Sequence, residues 1–277
     1  MLLALAAAPL ALAGTGTIVV GGDADRAAAR YFAYVNARGG VNGRKIEYRP
    51  ADETALVAFE PYRPPPRLEG AVLGRQLART FPGAKIAVLY PDDESGAALL
   101  AGVRRGLGPR VGQIVSAIGY DPSVTDVSVE VAQLRATRAQ AFFAFGPAAV
   151  EAQAQAARLG WRPRAYLAGG TRALAVGAVS VTAFKDPADP RWRGDPGVAL
   201  ARRLLPGANA DDVASMAAAF TLVDVLRHAR TARLNEADNP FVIPGINVRA
   251  GLINQVALQR WAGTHWSVFT GPLTISP

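Results

Sequence analysis

The chain has 277 residues, half of them hydrophobic, with 30 Lys and Arg against 22 Asp and Glu, a formal net charge of +8, two histidines and no cysteine. That length holds one large domain or two lobes around a sizeable core, and the hydrophobic share argues against disorder. The missing cysteines exclude disulfides, thiolate zinc sites and cysteine nucleophiles, and His228 and His265 lie too far apart for a metal-ligand spacing.

Lys45, Lys85 and Lys185 are the lysines, so the basicity is almost all arginine. The arginines are spread over helix ends and faces rather than clustered with aromatics. This pattern fits a solvated basic surface better than a nucleic-acid reader. Residues 1–13 are apolar and end in Ala11-Leu12-Ala13 before Gly14, the pattern of a secretory signal's core and cleavage site. The run is too short to span a bilayer. No Lys or Arg precedes Arg26, so the signal lacks its positive start.

In chain order, residues 17–20 predict a short β-branched strand. A helix follows, with Asp23 as its expected cap, and stops at Gly39-Gly40. Asn42-Gly43 predicts a tight turn, and 45–49 an extended strand. Strand, helix, strand is a βαβ unit, which implies a parallel sheet with a right-handed crossover. Residues 54–60 are a mostly apolar run with no clear partner. Residues 61–66 contain Pro61, Pro64, Pro65 and Pro66 and read as a stiff linker.

A helix is predicted over 68–80, with Val72, Leu73 and Leu77 on one side. Strands are predicted over 85–90, 111–118, 140–145 and 163–167, separated by helices. Of these helices, 97–107 carries Leu99, Leu100, Val103 and Leu107. The next carries Val127, Val131 and Leu134, with Ser123 and Asp126 as a capping box. The third opens at Pro147 and closes at Gly160. A further strand is expected over 179–184, a short helix over 198–205 and a longer helix capped by Asp211 or Asp212. The chain ends in a hairpin of 255–261 and 265–269 turned at Ala262-Gly263.

The stretch Asn36-Ala-Arg-Gly-Gly-Val-Asn-Gly-Arg-Lys-Ile-Glu47, followed by Asp52, resembles the signature segment of the branched-chain amino acid ABC transporter substrate-binding proteins. Residues 84–96, Leu159-Gly160-Trp161-Arg162-Pro163, Lys185-Asp186-Pro187, Pro244-Gly245-Ile246 and the Gln-Arg-Trp-x-Gly end with Trp266 are similar to the same family in the same order. The resemblance implies an α/β, two-lobed type I periplasmic binding fold with parallel sheets flanked by helices. It also implies an extracytoplasmic receptor that closes a hinge around a small molecule, an amino acid or small carboxylate, and presents it to the membrane subunits of an ABC importer. No cofactor, metal or nucleic-acid partner is expected. The expected division is a signal-like segment 1–13, an N-terminal lobe of 14–82 plus 184–243, and a C-terminal lobe of 83–183 plus 244–277.

The chain departs from the family in its first lobe. Gly21-Gly22-Asp23 runs straight into the helix where the family has a longer Gly, Ser and Thr loop. After Asp52 about two βα units of ~30 residues are missing. The first lobe is therefore expected to be reduced to about three strands, with an exposed sheet edge or apolar surface. Such losses remove donors that hold an amino acid's charged ends, and leaving those ends unpaired is costly. A shortened, binding-incompetent relative or an interaction module is the alternative reading.

Ligands of parallel α/β sheets sit at the C-terminal ends of strands. Gly22 and Asp23, Tyr90 with Asp93 and Ser95, Phe145 with Gly146, and Gly170 with Thr171 hold those positions and are the candidate ligand residues. Tyr90 and Ser95 are expected to line one wall of an interlobe cleft, and Phe145 to pack on the ligand. Asp23 reads more readily as a helix cap than as a ligand group, and Thr171 reads equally as the cap of a short helix. An enzyme is not expected: no Gly-x-Ser-x-Gly, phosphate loop or dinucleotide fingerprint occurs, and carboxylate pairs fall in exposed-looking loops. A Rossmann-like enzyme would rest on fold analogy alone.

Overall fold

The computed structural model describes residues 16–52, 54–55, 57–228, 239–249 and 252–274. The signal-like segment lies outside the described residues. The chain opens with β1 (Ile18–Gly22), α1 (Arg26–Asn36), β2 (Ile46–Tyr48) and β3 (Val57–Phe59). Next come α2 (Pro66–Thr80), β4 (Ile86–Pro91), α3 (Glu94–Leu107), a 3-10 turn (Gly108–Gln113), β5 (Ile114–Tyr120), α4 (Ser128–Ala136), β6 (Ala141–Ala144), α5 (Ala149–Arg158), β7 (Arg164–Leu167) and β8 (Val179–Thr182). The remainder holds a short 3-10 turn (Pro190–Trp192), α6 (Pro196–Leu204), α7 (Ala210–His228), β9 (Val248–Arg249), β10 (Leu252–Ile253), β11 (Ala257–Trp261) and β12 (Trp266–Val268). Two compact units result: Met1–Arg63 with Phe184–Ile253, and Pro64–Ala183 with Asn254–Pro277. Helix α2 belongs to the second unit, whereas the sequence reading ends the first lobe at residue 82.

In the first unit, β2, β1 and β3 form a three-stranded parallel sheet with β1 central. The 54–60 run thus has a partner: Val20, Gly21 and Gly22 pair with Val57, Ala58 and Phe59. The segment was opaque in sequence because a three-residue strand carries too little alternation to register. Helix α1 starts at Asp25 rather than Asp23, because the Asp25 carboxylate accepts the N–H groups of Ala27 and Ala28, each at 2.8 Å. Its buried stripe of Ala27, Ala28, Tyr31, Phe32 and Val35 has helical spacing. Phe32 packs on Tyr48 and Phe59, with ring centroids 5.3 and 5.8 Å away.

The signature segment now has a physical account. Gly40 has φ +72°, and a Cβ there would sit 2.0 Å from Arg44 O. Asn42 and Gly43, both at positive φ, turn the chain between Val41 and Arg44, the pattern of a type I′ hairpin turn. Asn36 then clamps β2 by exchanging two hydrogen bonds with the Ile46 backbone, at 2.7 and 2.8 Å. Helix α7 starts from Asn209, whose side chain accepts from Asp211 N and Asp212 N while the Asp212 carboxylate accepts from Asn209 N. This reciprocal pair replaces the expected Asp211 or Asp212 cap.

The second unit is built on a seven-stranded sheet in the order β12-β11-β8-β7-β6-β4-β5. Strands β5, β4, β6, β7 and β8 pair in parallel, and β11 and β12 add as the predicted antiparallel hairpin. On one face Ala87, Leu89, Phe142, Ala144, Ala165 and Leu167 share a core with Val131 and Leu134 of α4 and Ala149, Ala152 and Ala156 of α5. Helices α3 and α2 also pack on this sheet, against β4 and β8 respectively.

The α2–α3 pair is held at backbone distance by glycines. A Cβ on Gly70 or Gly74 would meet Leu99 O at 2.1 Å or Val103 O at 2.5 Å. One on Gly102 or Gly106 would meet Arg67 O at 2.4 Å or Ala71 O at 2.2 Å. Two sequence expectations fail here. The 111–118 strand begins only at Ile114, after the 3-10 turn. The Ser123–Asp126 capping box is absent: Asp121 accepts from Ser123, Asp126 accepts from Ser128 N, and two local turns replace it.

Candidate functional site

Seven of the nine predicted residues fall in the second unit, at or just beyond the C-terminal ends of β4, β6 and β7, which are neighbours in the sheet. After β4, Asp93 accepts Gly96 N–H at 2.7 Å and caps α3. This cap leaves Ser95 exposed and Tyr90 half-buried. Gly96 is required there, since a Cβ would meet Pro91 O at 1.9 Å. After β6, Gly146 turns at φ +80° against Pro91, whose ring a Cβ would meet at 2.8 Å. The β4 and β6 loops therefore touch.

Phe145 is 0% exposed, with its ring 5.7 Å from that of Phe143. It is a core ring, not a surface on which a ligand packs. After β7, Gly170 is exposed at φ +78° and Thr171 is half-buried.

In the first unit, Gly22 has φ +115° and lies so close to β3 that a Cβ would meet Phe59 O at 2.1 Å. Asp23 is exposed, and its carbonyl accepts the Tyr48 hydroxyl. Asp25 is the carboxylate that matters at this strand end. Besides capping α1, it accepts Ser215 Oγ at 2.6 Å, and Arg26 beside it makes a two-pronged pair with Asp212, both contacts at 3.1 Å. These bonds occupy the α1 N-terminus.

The sequence reading missed the side chains that hold the second unit's loops. Tyr120, at the end of β5, donates to Phe145 O at 2.8 Å and accepts Ala148 N–H at 3.1 Å. Burial raises its pKa, so the phenol remains a neutral donor and acceptor. Glu69 and Gln153 reach the loop after β7, and both are buried. A signal existed for Glu69: it lies on the stripe with Val72, Leu73 and Leu77, where a charge needs a partner.

An open groove of about 540 Å³ in the second unit is lined by Phe81, Gln140, Trp161, Arg164 and Val176 among others. It lies at the start of β6 and β7, the opposite strand end from the predicted residues, and contains none of them. Among the described residues no group of three or more His, Asp and Glu is placed to hold a metal, and no helix is long and apolar enough to cross a membrane.

The profile of a family described as Periplasmic binding protein matches residues 59–221. No curated protein matches the sequence. A substrate-binding periplasmic protein from Ralstonia solanacearum superposes with a TM-score of 0.75 at 14% identity, covering 91% of this chain and 100% of that one. A branched-chain amino acid ABC transporter protein from Thermus thermophilus, solved with bound valine, gives 0.71 at 15%, over 96% and 98% of the two chains. An ABC transporter solute-binding protein from R. palustris, solved with benzoate, gives 0.68 at 13%, over 92% and 96%.

Proposed function

Because the chain belongs to the periplasmic binding protein family, we propose that it binds a small amino acid or carboxylate outside the cytoplasm and hands it to the membrane subunits of an ABC importer. One observation carries this reading. Three adjacent parallel strands, β4, β6 and β7, end in loops whose backbones are fixed by Asp93, Tyr120, Glu69 and Gln153. Strand ends of this kind are where open α/β sheets hold ligands. Tyr90, Ser95, Gly170 and Thr171 are the groups those loops offer. Gly22 and Asp23 are the corresponding groups in the first unit, and the two units serve as the two lobes. The valine and benzoate held by the two fold relatives set the size and charge of the ligands to test.

A panel of amino acids and small carboxylates in a thermal-shift assay tests this. A ligand that binds only the native state at a hundred times its Kd stabilises by about 2.7 kcal/mol. At least one panel member is expected to raise the melting temperature. A folded protein that responds to none contradicts the reading. That result would favour a scaffold that has lost its ligand, which the reduced first-unit sheet and its occupied α1 N-terminus also suggest.

A further inference from the structure

Segment 168–174 follows β7, and buried side chains from other elements fix its backbone. Glu69, on α2 and 5% exposed, accepts Gly169 N–H at 3.0 Å from 100 residues away. Gln153, on α5 and 7% exposed, accepts Leu174 N–H at 2.9 Å and donates to Arg172 O at 3.0 Å. Ser180, on β8 and 0% exposed, donates to Ala168 O at 3.0 Å. Packing alone does not call for these residues. A helix that only needed to cover the sheet would carry an aliphatic side chain at position 69, in line with Val72, Leu73 and Leu77. Burying a carboxylate is costly unless it is hydrogen-bonded. One thing Glu69 gains is the hydrogen bond from the Gly169 N–H of this turn.

The held segment has a definite chemistry. It presents Gly170 in a left-handed conformation, the Thr171 hydroxyl and the exposed Arg172, and it contains no Asp or Glu. Its exposed functional groups are therefore dominated by donors and one cation, which suit an anion.

We propose that Glu69 and Gln153 are positioning residues, which hold segment 168–174 in the one conformation that receives the carboxylate of the ligand. The inference rests on the solute-binding reading and adds to it the element and the ligand group involved. A loop fixed before binding loses less conformational freedom when the ligand arrives, so breaking either tether weakens binding without touching the ligand.

The test uses the full chain with Glu69→Ala, Glu69→Gln and Gln153→Ala, read in two ways. Amide hydrogen exchange without ligand measures the tether. Gly169, Thr171 and Leu174 amides are expected to exchange about tenfold faster or more in the alanine variants, while β6 amides hold their rates. Titration with benzoate, isovalerate and valine, well below each melting temperature, measures the consequence. The alanine variants are expected to bind about tenfold more weakly, and Glu69→Gln, whose amide oxygen can still accept Gly169 N–H, to recover most of both effects. A merely structural role would lower the melting temperature and leave the affinity of the folded protein unchanged. Faster exchange with unchanged affinity overturns the ligand role, and unchanged exchange overturns the tether. If the wild-type chain binds no probe, the solute-binding reading fails and takes the ligand role with it, whereas the exchange result stands separately.

Discussion

Strand β4 of the second unit is buried on both sides: Ile86, Ala87, Val88 and Leu89 are all 0% exposed. Strand β1 of the first unit is buried mainly on one. Ile18 and Val20 are shielded beneath α1, while Val19 is half-buried and its sheet neighbours Glu47 and Ala58 are exposed. The same parallel βα chemistry thus yields a sheet with two apolar faces in one unit and a sheet with one polar, thinly covered face in the other. Among the described residues, the three-stranded sheet of the first unit adds no large exposed hydrophobic side chain. The exposed large hydrophobics among the described residues, Val111, Val115, Val124, Val129, Leu174, Val176 and Phe269, all belong to the second unit. The lesson is local. A three-stranded sheet can leave one face thinly covered if the outward positions are small or charged, because that face then has little apolar area to hide.

The comparison makes predictions of decreasing size. Gly102→Val drives a branched side chain into the Arg67 carbonyl and should cost about 3 kcal/mol or more, read as a fall in the urea midpoint. Near-wild-type stability would mean the α2–α3 contact is looser than described. Native-state hydrogen exchange should separate the sheets next. Amides of β4 and β6 are expected to exchange about a hundredfold more slowly than those of β2 and β3, since low-stability units open without global unfolding. Equal protection would break the comparison outright.

Tyr120→Phe leaves Ala148 N–H buried without its acceptor and should cost about 2 kcal/mol. Asp25→Ala in the first unit removes a cap and the Ser215 tie and should cost about 1 kcal/mol. The ratio of the two urea-midpoint shifts sharpens the contrast between a buried tie and a partly exposed one.

The smallest effect is on pH and should not distinguish the units. Asp52 in the first and Asp121 and Asp126 in the second have pKa values held below the ordinary 3.8 by hydrogen bonds from Thr54, Ser123 and Ser128. Lowered folded values mean a stabilising contribution that is complete above 3.8 and is lost as pH falls through the folded values beneath it. Urea midpoints of Asp121→Asn should therefore fall less steeply below that pH than those of the unaltered chain.

The alternation of strand and helix over residues 85–167 was legible because its helices carry apolar stripes, its strands are short apolar runs, and several junctions carry Gly or Pro, as at Gly108-Pro109, Pro147 and Gly160. The signature segment was legible for a related reason, since Gly39-Gly40 and Asn42-Gly43 leave the backbone few options. Strand β3 was not, because three residues bonded to a central strand take their structure from the neighbour. The caps were misplaced by two residues at Asp25 and by a few at Asn209. Several acceptors stand close together there, and tertiary partners such as Ser215 decide among them. Of the candidate site, the loop positions followed from strand ends alone. The residues that tension those loops did not, because Glu69 and Gly169 are 100 positions apart and only the fold joins them.

The four glycines between α2 and α3 also set where this protein can be changed. At Gly70, Gly74, Gly102 and Gly106 main chain rests on main chain, so fit depends on atoms that are missing and no compensating side-chain swap can restore it. A mutational library built to alter recognition would waste those codons. Diversity belongs at Ser95, Thr171 and Arg172, whose side chains can change without altering a left-handed backbone, while the paired helices keep the scaffold constant.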